Sequence, residues 1–297
     1  MTIAKPLTPQ DVYVSSTFNP ASLNIYHLGL HLDIDHIQYV VSTIQHEPLL
    51  IRLYKNRDGL DLPLFLEAVW QQDEFLRKRF ARGLLLLDTD KWLIVPAEYV
   101  PDGQEAAYLR AYYGITSEEG AQAYAYKKEI LRGSGAAILS LVPKPLEEYL
   151  ATRLSSFHTT HTAFRSLQLS AYIQQNHLTH RPFRGVVWLF LGRFYYVLFQ
   201  NDTLIFINQF SAATAEDVLY YLQGLHNLLG IEKTQIALTV GGYSGLKPYV
   251  ATVLYRFYGG GYRDLGRAFP PPSTLKEAGL SVEDVLPLTF VGADTAG

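Results

Sequence analysis

The chain has 297 residues, of which 48% are hydrophobic and 18% charged, so it is long enough for one large or two medium domains with buried cores. Its 25 basic and 28 acidic residues leave a net charge of -3, which supplies no basic field for nucleic acid or anionic lipid. The absence of cysteine excludes disulfides, thiolate catalysis and thiolate metal sites, and fits a reducing cytoplasmic setting.

Residues 1–25 read as an irregular lead-in with Pro6, Pro9 and Pro20, without the apolar run of a secretory signal. No stretch of about 18 apolar residues exists, so no spanning helix is expected. Three strand-like runs follow: Tyr26 to Leu32, Ile37 to Val41 and Leu49 to Tyr54. In the first, Leu28, Leu30 and Leu32 share one face, opposite His27, Gly29 and His31. Asp33-Ile34-Asp35 is a short hairpin connection, and Asn56 to Gly59 carries turn chemistry. An apolar stripe of Leu62, Phe65, Leu66, Val69 and Leu76 predicts a helix over 62–79, and Leu84 to Asp88 predicts a buried strand.

Trp92 to Pro96 reads as a strand, and 103–113 as a helix. Tyr124 to Leu131 and Ala136 to Leu141 read as strands about a Gly133-Ser134-Gly135 turn. Pro145 opens a helix to about Ser155, and Ala163 to Gln175 is a second. The polar segment 176–182 marks the expected domain boundary.

The same order then recurs. Val186 to Leu191, Phe194 to Phe199 and Leu204 to Asn208 lead to a helix over 213–229, with capping candidates around Thr214 and first-turn acids Glu216 and Asp217. A strand at Gln235 to Val240 and a helix at Leu246 to Phe257 follow, the latter stopped by Gly259-Gly260-Gly261. Beyond Pro270 to Pro272 lies a tail with one short helix candidate at Thr274 to Ala278. The repetition predicts an α/β protein of two similar domains, 26–182 and 183–268, with a lead-in (1–25) and a tail (269–297).

Three antiparallel strands, a helix, a strand and a helix, given twice, resemble the plan of the actin-like ATPase superfamily. Each ribonuclease H-like half there has a mixed sheet: a three-stranded antiparallel meander plus further strands, flanked by helices. Phe18-Asn19-Pro20, the run Tyr26 to Asp33 and the strand ending Leu93-Ile94-Val95-Pro96 are similar to one branch, a mainly Bacteroidetes family termed domain of unknown function 3822. Its members are similar in fold to the pilus assembly protein PilM and the division protein FtsA.

The resemblance implies a candidate nucleotide cleft with two phosphate-binding turns. At the first, Asp33 suits Mg²⁺ organisation, while Asp35 stands where a glycine is expected and repels phosphate. At the second, Gly192 is right in kind, but Arg193 replaces the acid; its fork could still bind phosphate. Gly241, Gly242, Ser244 and Gly245 follow the last long strand, where missing Cβ atoms would let the backbone approach adenosine; the bland alternative is an ordinary turn. No cofactor is expected, with ATP and Mg²⁺ as the alternative.

The pairs His158/His161 and His177/His180 have a spacing that shares one helix face, yet no carboxylate stands at a suggestive spacing, so exposed or capping roles are expected. No Gly-x-Ser-x-Gly elbow occurs, and Glu118/Glu119 and Glu147/Glu148 fall on solvated segments. The Arg77, Lys78, Arg79, Arg82 cluster reads as a solvated face. Twenty-one tyrosines suit protein contacts or a strand-rich core. These features point to a non-catalytic scaffold or adaptor with a protein partner, no nucleic acid and no membrane insertion; the alternative is an ATP-binding switch with weak or no hydrolysis.

Overall fold

A computed structural model describes residues 7–131, 135–176, 180–242, 245–264 and 286–289. The chain forms two compact units that divide between Phe164 and Arg165, with the segment at Leu288 belonging to the first. The division falls ahead of the 176–182 segment where the boundary was expected. Gly133, Ser134, His177, Tyr243, Ser244 and the tail-helix candidate at 274–278 lie outside the described residues. No helix among the described residues is long and apolar enough to cross a membrane.

The sheet of the first unit has the order β1 (Gln10–Val14), β4 (Pro48–Lys55), β3 (His36–Ser42), β2 (His27–Leu32), β5 (Arg82–Leu87) and β9 (Phe157–His161). β2, β3 and β4 form the expected antiparallel meander, while β2, β5 and β9 run parallel. β1 corrects the irregular lead-in: it pairs antiparallel with β4 across a bulge between Asp11 and Tyr13. Five residues with a bulge give too little alternation to show in sequence. β2 is buried on both faces, as a central strand must be. A Cβ on Gly29 would lie 1.8 Å from the Leu288 carbonyl oxygen, so glycine is what lets that segment cross the sheet. Fully buried Leu28, Leu30, Leu85 and Phe65 each contribute about 1.5–3 kcal/mol by leaving water.

Helix α1 (Leu62–Gln72) starts at Asp61, whose Oδ1 accepts from the Leu64 N–H at 2.9 Å. It ends at Asp73, not near Arg79 as the stripe predicted. The Asp73 carboxylate accepts from Tyr39 Oη and Tyr54 Oη (both 2.7 Å), Arg52 Nη1 (3.2 Å) and the Phe75 N–H (2.8 Å). Four donors outweigh another helical turn, and Leu76 is buried from beyond the helix.

Between β5 and α4 (Lys144–Arg153) sits an antiparallel sheet, β6 (Trp92–Pro96), β8 (Ala136–Pro143) and β7 (Tyr124–Leu131), with helices α2 (Glu105–Tyr113) and α3 (Ser117–Ala123). Val100, Leu109, Leu139 and Leu141 form its core. α3 was not expected. Its Glu119 is no idle surface acid but closes a capping box with Thr116.

The second unit begins within α5 (Thr162–Asn176). Its sheet has the order β12 (Thr203–Ser211), β11 (Arg193–Gln200), β10 (Phe183–Phe190), β13 (Ile236–Gly241) and β14 (Tyr262–Asp264). β10, β11 and β12 are antiparallel; β10, β13 and β14 are parallel. This is the third–second–first–fourth–fifth order of β4-β3-β2-β5-β9, with every sense retained. Helix α6 (Ala215–Leu228) opens on the expected signal, a capping box in which Thr214 Oγ1 accepts from the Asp217 N–H at 3.1 Å and Asp217 returns the bond. α7 (Lys247–Tyr258) ends at Gly259 as predicted. The unit's core is aromatic, with Phe194 stacked on Phe210 at 5.2 Å and Phe210 meeting Tyr221 at 4.8 Å.

Candidate functional site

Among the described residues of the first unit, a groove of about 360 Å³ lies where β7 and β9 approach each other. Among the described strands each is the last of its own sheet, so each has a backbone edge that no described strand pairs. Val142, Leu150, Leu154 and Phe157 form an apolar wall, supplied by β8, α4 and the start of β9. Lys127 pairs with Glu147 at the rim, and Lys128 Nζ reaches the Val100 carbonyl (2.6 Å) and Asp102 Oδ1 (2.8 Å).

Glu129 of β7 bridges the two edges. It accepts from Thr160 Oγ1 and, at 2.8 Å, from the His161 N–H of β9. Burial pushes its carboxyl up to about 7 against the pull of those two hydrogen bonds and of Lys127. The neighbouring His161 ring is buried and held neutral, its pKa lowered to about 4 chiefly by desolvation. Its Nδ1 accepts from the Ala163 N–H at 3.0 Å and its Nε2 faces Thr89 Oγ1 at 3.1 Å. Nothing in the local sequence flagged Glu129. The adjacent β-branched pair Thr159-Thr160 is the one local hint of β9, too short to show an alternation.

This strand also corrects the histidine pair. Three residues apart on a strand, His158 and His161 take opposite faces, the first exposed and the second buried. Among the described residues, no group of three or more His, Cys, Asp or Glu side chains is arranged to hold a metal ion.

The nucleotide-cleft candidates gather, within each unit, at the carboxyl ends of parallel strands, where open α/β sheets bind ligands. In the first unit Asp33 is buried and Asp35 exposed. Asp33 Oδ1 accepts from the Asp35 N–H at 2.8 Å, so it already holds a turn N–H that a phosphate would want. It lies 3.6 Å from His36 Nδ1. Asn56 ties the turn from outside, donating its N–H to Asp35 O and Nδ2 to Ile34 O, both at 2.8 Å.

In the second unit Gly192 has φ +75°, and a Cβ there would meet no described atom within 4 Å. Arg193 begins β11, half-buried. Gly241 closes β13 and Gly242 follows it, but the room made by their missing Cβ atoms is already taken. A Cβ on Gly241 would lie 2.5 Å from the Trp188 ring, and one on Gly242 2.2 Å from the Leu189 carbonyl oxygen. Both glycines thus serve packing against β10. Gly245 is exposed, and Ser244 lies outside the described residues.

A family model described as protein of unknown function (DUF3822) matches residues 15–258. Among solved structures, the chain is similar to a Bacteroides thetaiotaomicron protein with an actin-like ATPase fold and unknown function: TM-score 0.68, 15% identity, 89% of this chain and 98% of that one. It is also similar to a chain of the PilM–PilN type IV pilus biogenesis complex: TM-score 0.50, 12% identity, 88% and 97%. No curated protein matches the sequence. At these identities the likeness shows the fold: actin-like, as the element order implied.

Proposed function

We propose that this chain, which belongs to the DUF3822 family of proteins of unknown function, is a non-catalytic actin-like scaffold that holds an extended segment of a protein partner in the groove between β7 and β9. The observation that carries this is the meeting, over an apolar wall, of two strand edges that no described strand pairs. An added strand gains affinity from backbone hydrogen bonds and selectivity from alternate side chains entering the wall. The fold's likeness to PilM, solved in complex with PilN, supports a binding role for such a scaffold.

Thr159 is the residue to test. It precedes His161 by one strand repeat, so its N–H points to the same outer edge as the His161 N–H that meets Glu129. A photo-reactive side chain at 159 crosslinks a specific partner in cells, and Thr159→Pro, which deletes that N–H on an edge where proline is tolerated, abolishes the complex. A partner retained by a folded Thr159→Pro variant removes the groove from the interface.

One observation favours the ATP-binding switch: the open, left-handed Gly192 turn beside Arg193. On the scaffold reading, millimolar ATP with Mg²⁺ leaves the melting temperature unchanged. A rise that Gly192→Asp removes would establish the switch, since a ligand at a hundredfold its Kd adds about 2.7 kcal/mol. Gly192 serves this test better than Gly242, whose substitution would collide with Leu189.

A further inference from the structure

Backbone direction alternates along β9, so Phe157, Thr159 and His161 send their N–H groups to the edge that faces the groove. Two of these three donors are already spent. The Phe157 N–H goes to the Leu154 carbonyl at 2.9 Å. The His161 N–H goes to Glu129 Oε2 at 2.8 Å, and Thr160 Oγ1 donates to the other oxygen of the same carboxyl. Thr159 lies between them. An added strand takes its register from donors at every second residue. Here it finds two in succession, Thr159 and His161, once Glu129 has let go.

We infer that Glu129 is a latch on this groove: its carboxyl stands where a carbonyl of the incoming strand would sit, and a partner binds by displacing it. The inference rests on the groove reading above and adds its regulation. The groups around the carboxyl set the direction of control. Lys127, on the same face of β7, is paired with Glu147 of α4, and Lys128 turns to Val100 and Asp102. β8 contributes the neutral side chains of Ser140 and Val142. On β9 the His161 ring is held neutral above about 4 by burial, although Asp88 and Asp90 beside it pull the other way, and His158 lies on the opposite, exposed face. Burial raises Glu129 from 4.5 to about 7 while the latch is closed, and release into water returns it to the ordinary carboxylate range. The latch is therefore at full strength below 4.5 and weakens as the pH rises through 7.

The first test needs no partner: amide exchange of β9 in the full chain from pH 5 to 8, corrected for the intrinsic rate. Protection of the His161 amide should fall about tenfold or more across that range in the wild type. It should stay high in Glu129→Gln, which keeps an acceptor and never ionises, and be low at every pH in Glu129→Ala. Thr160→Val, which removes the second donor, should lie between the two, and it carries the comparison if Glu129→Ala does not fold. With the photo-reactive side chain at 159, Glu129→Ala should raise the crosslink yield in cells and Glu129→Gln should lower it, since a closed groove reduces apparent affinity by the fraction that is open. Protection of His161 that ignores pH, or that Glu129→Ala leaves in place, overturns the latch. So does a folded Glu129→Ala chain that loses the crosslink, because the carboxyl would then hold the two edges together for the partner. Failure of the groove reading looks different: no chain, wild type included, crosslinks at 159, and the latch then falls with it, having nothing to admit.

Discussion

Tyr39 and Tyr196 occupy the same place in the two units: each is the fourth residue of the second meander strand, and each sends its hydroxyl to a polar group at the end of the helix that follows the meander. Their partners are chemically opposite. In the first unit the partner is the Asp73 carboxylate, shared with Tyr54, Arg52 and a backbone N–H. In the second it is the neutral His226 ring, whose Nε2 meets Tyr196 Oη and whose Nδ1 meets Tyr258 Oη, both at 2.8 Å. Burial and, at Tyr39, the adjacent carboxylate push the phenol pKa values up, so the tyrosines are hydroxyl donors or acceptors at any working pH. One topology therefore tolerates an anionic or a neutral hub, provided every buried polar atom is served. A neutral imidazole donates through one nitrogen and accepts through the other, which suits two tyrosines; a carboxylate only accepts, and recruits Arg52 as well.

The sharpest way to break this comparison is Asp73→Ala. It removes the acceptor shared by two buried hydroxyls and a guanidinium, and should cost about 3–5 kcal/mol in urea unfolding followed on the first unit. His226→Leu should cost a comparable amount, about 1–3 kcal/mol for each of the two hydroxyls left without a partner, and a Tyr196→Phe background should recover part of it. The pH dependence separates the hubs further. Desolvation lowers His226 to about 4, so its contribution is present above the ordinary value of 6.5 and is lost as the pH falls toward 4. The deficit of His226→Leu against wild type should narrow over that range.

Glu129 behaves with the opposite sign. Its carboxyl is raised from 4.5 to about 7, so its contribution is full below 4.5 and is lost as the pH rises through 7. Glu129→Gln should gain on wild type as the pH is raised across that window, measured by thermal melts. The smallest effect is expected from Thr214→Ala, which removes the α6 cap for about 1 kcal/mol and should leave the His226 hub and its pH response in place.

The strands of both meanders and α6 were legible because their signals are local: alternation, turn residues, and a Thr–Asp capping pair. β1 and β9 were not, since five-residue edge strands show one or two alternations at most and owe their pairing to a neighbour distant in sequence. The apolar stripe overextends α1 because it continues to Leu76, while the four donors that claim Asp73 come from two strands and a loop. The expected phosphate turns were found as turns. What their residues contact could not be read in advance: Asp33 spends an oxygen on Asp35, and the Gly241–Gly242 pair makes room for Trp188 and the β10 backbone.

By itself the sequence determined the meander strands, most of the helices and their repetition, since these depend on periodicity and short-range turn chemistry, while the actin-like fold was what the resemblance of its motifs implied. Tertiary structure alone decided where edges stay open, which polar groups are buried together, and that Glu129 and His161 meet across the groove. Those depend on strand order and burial, which bring together residues that no local pattern connects.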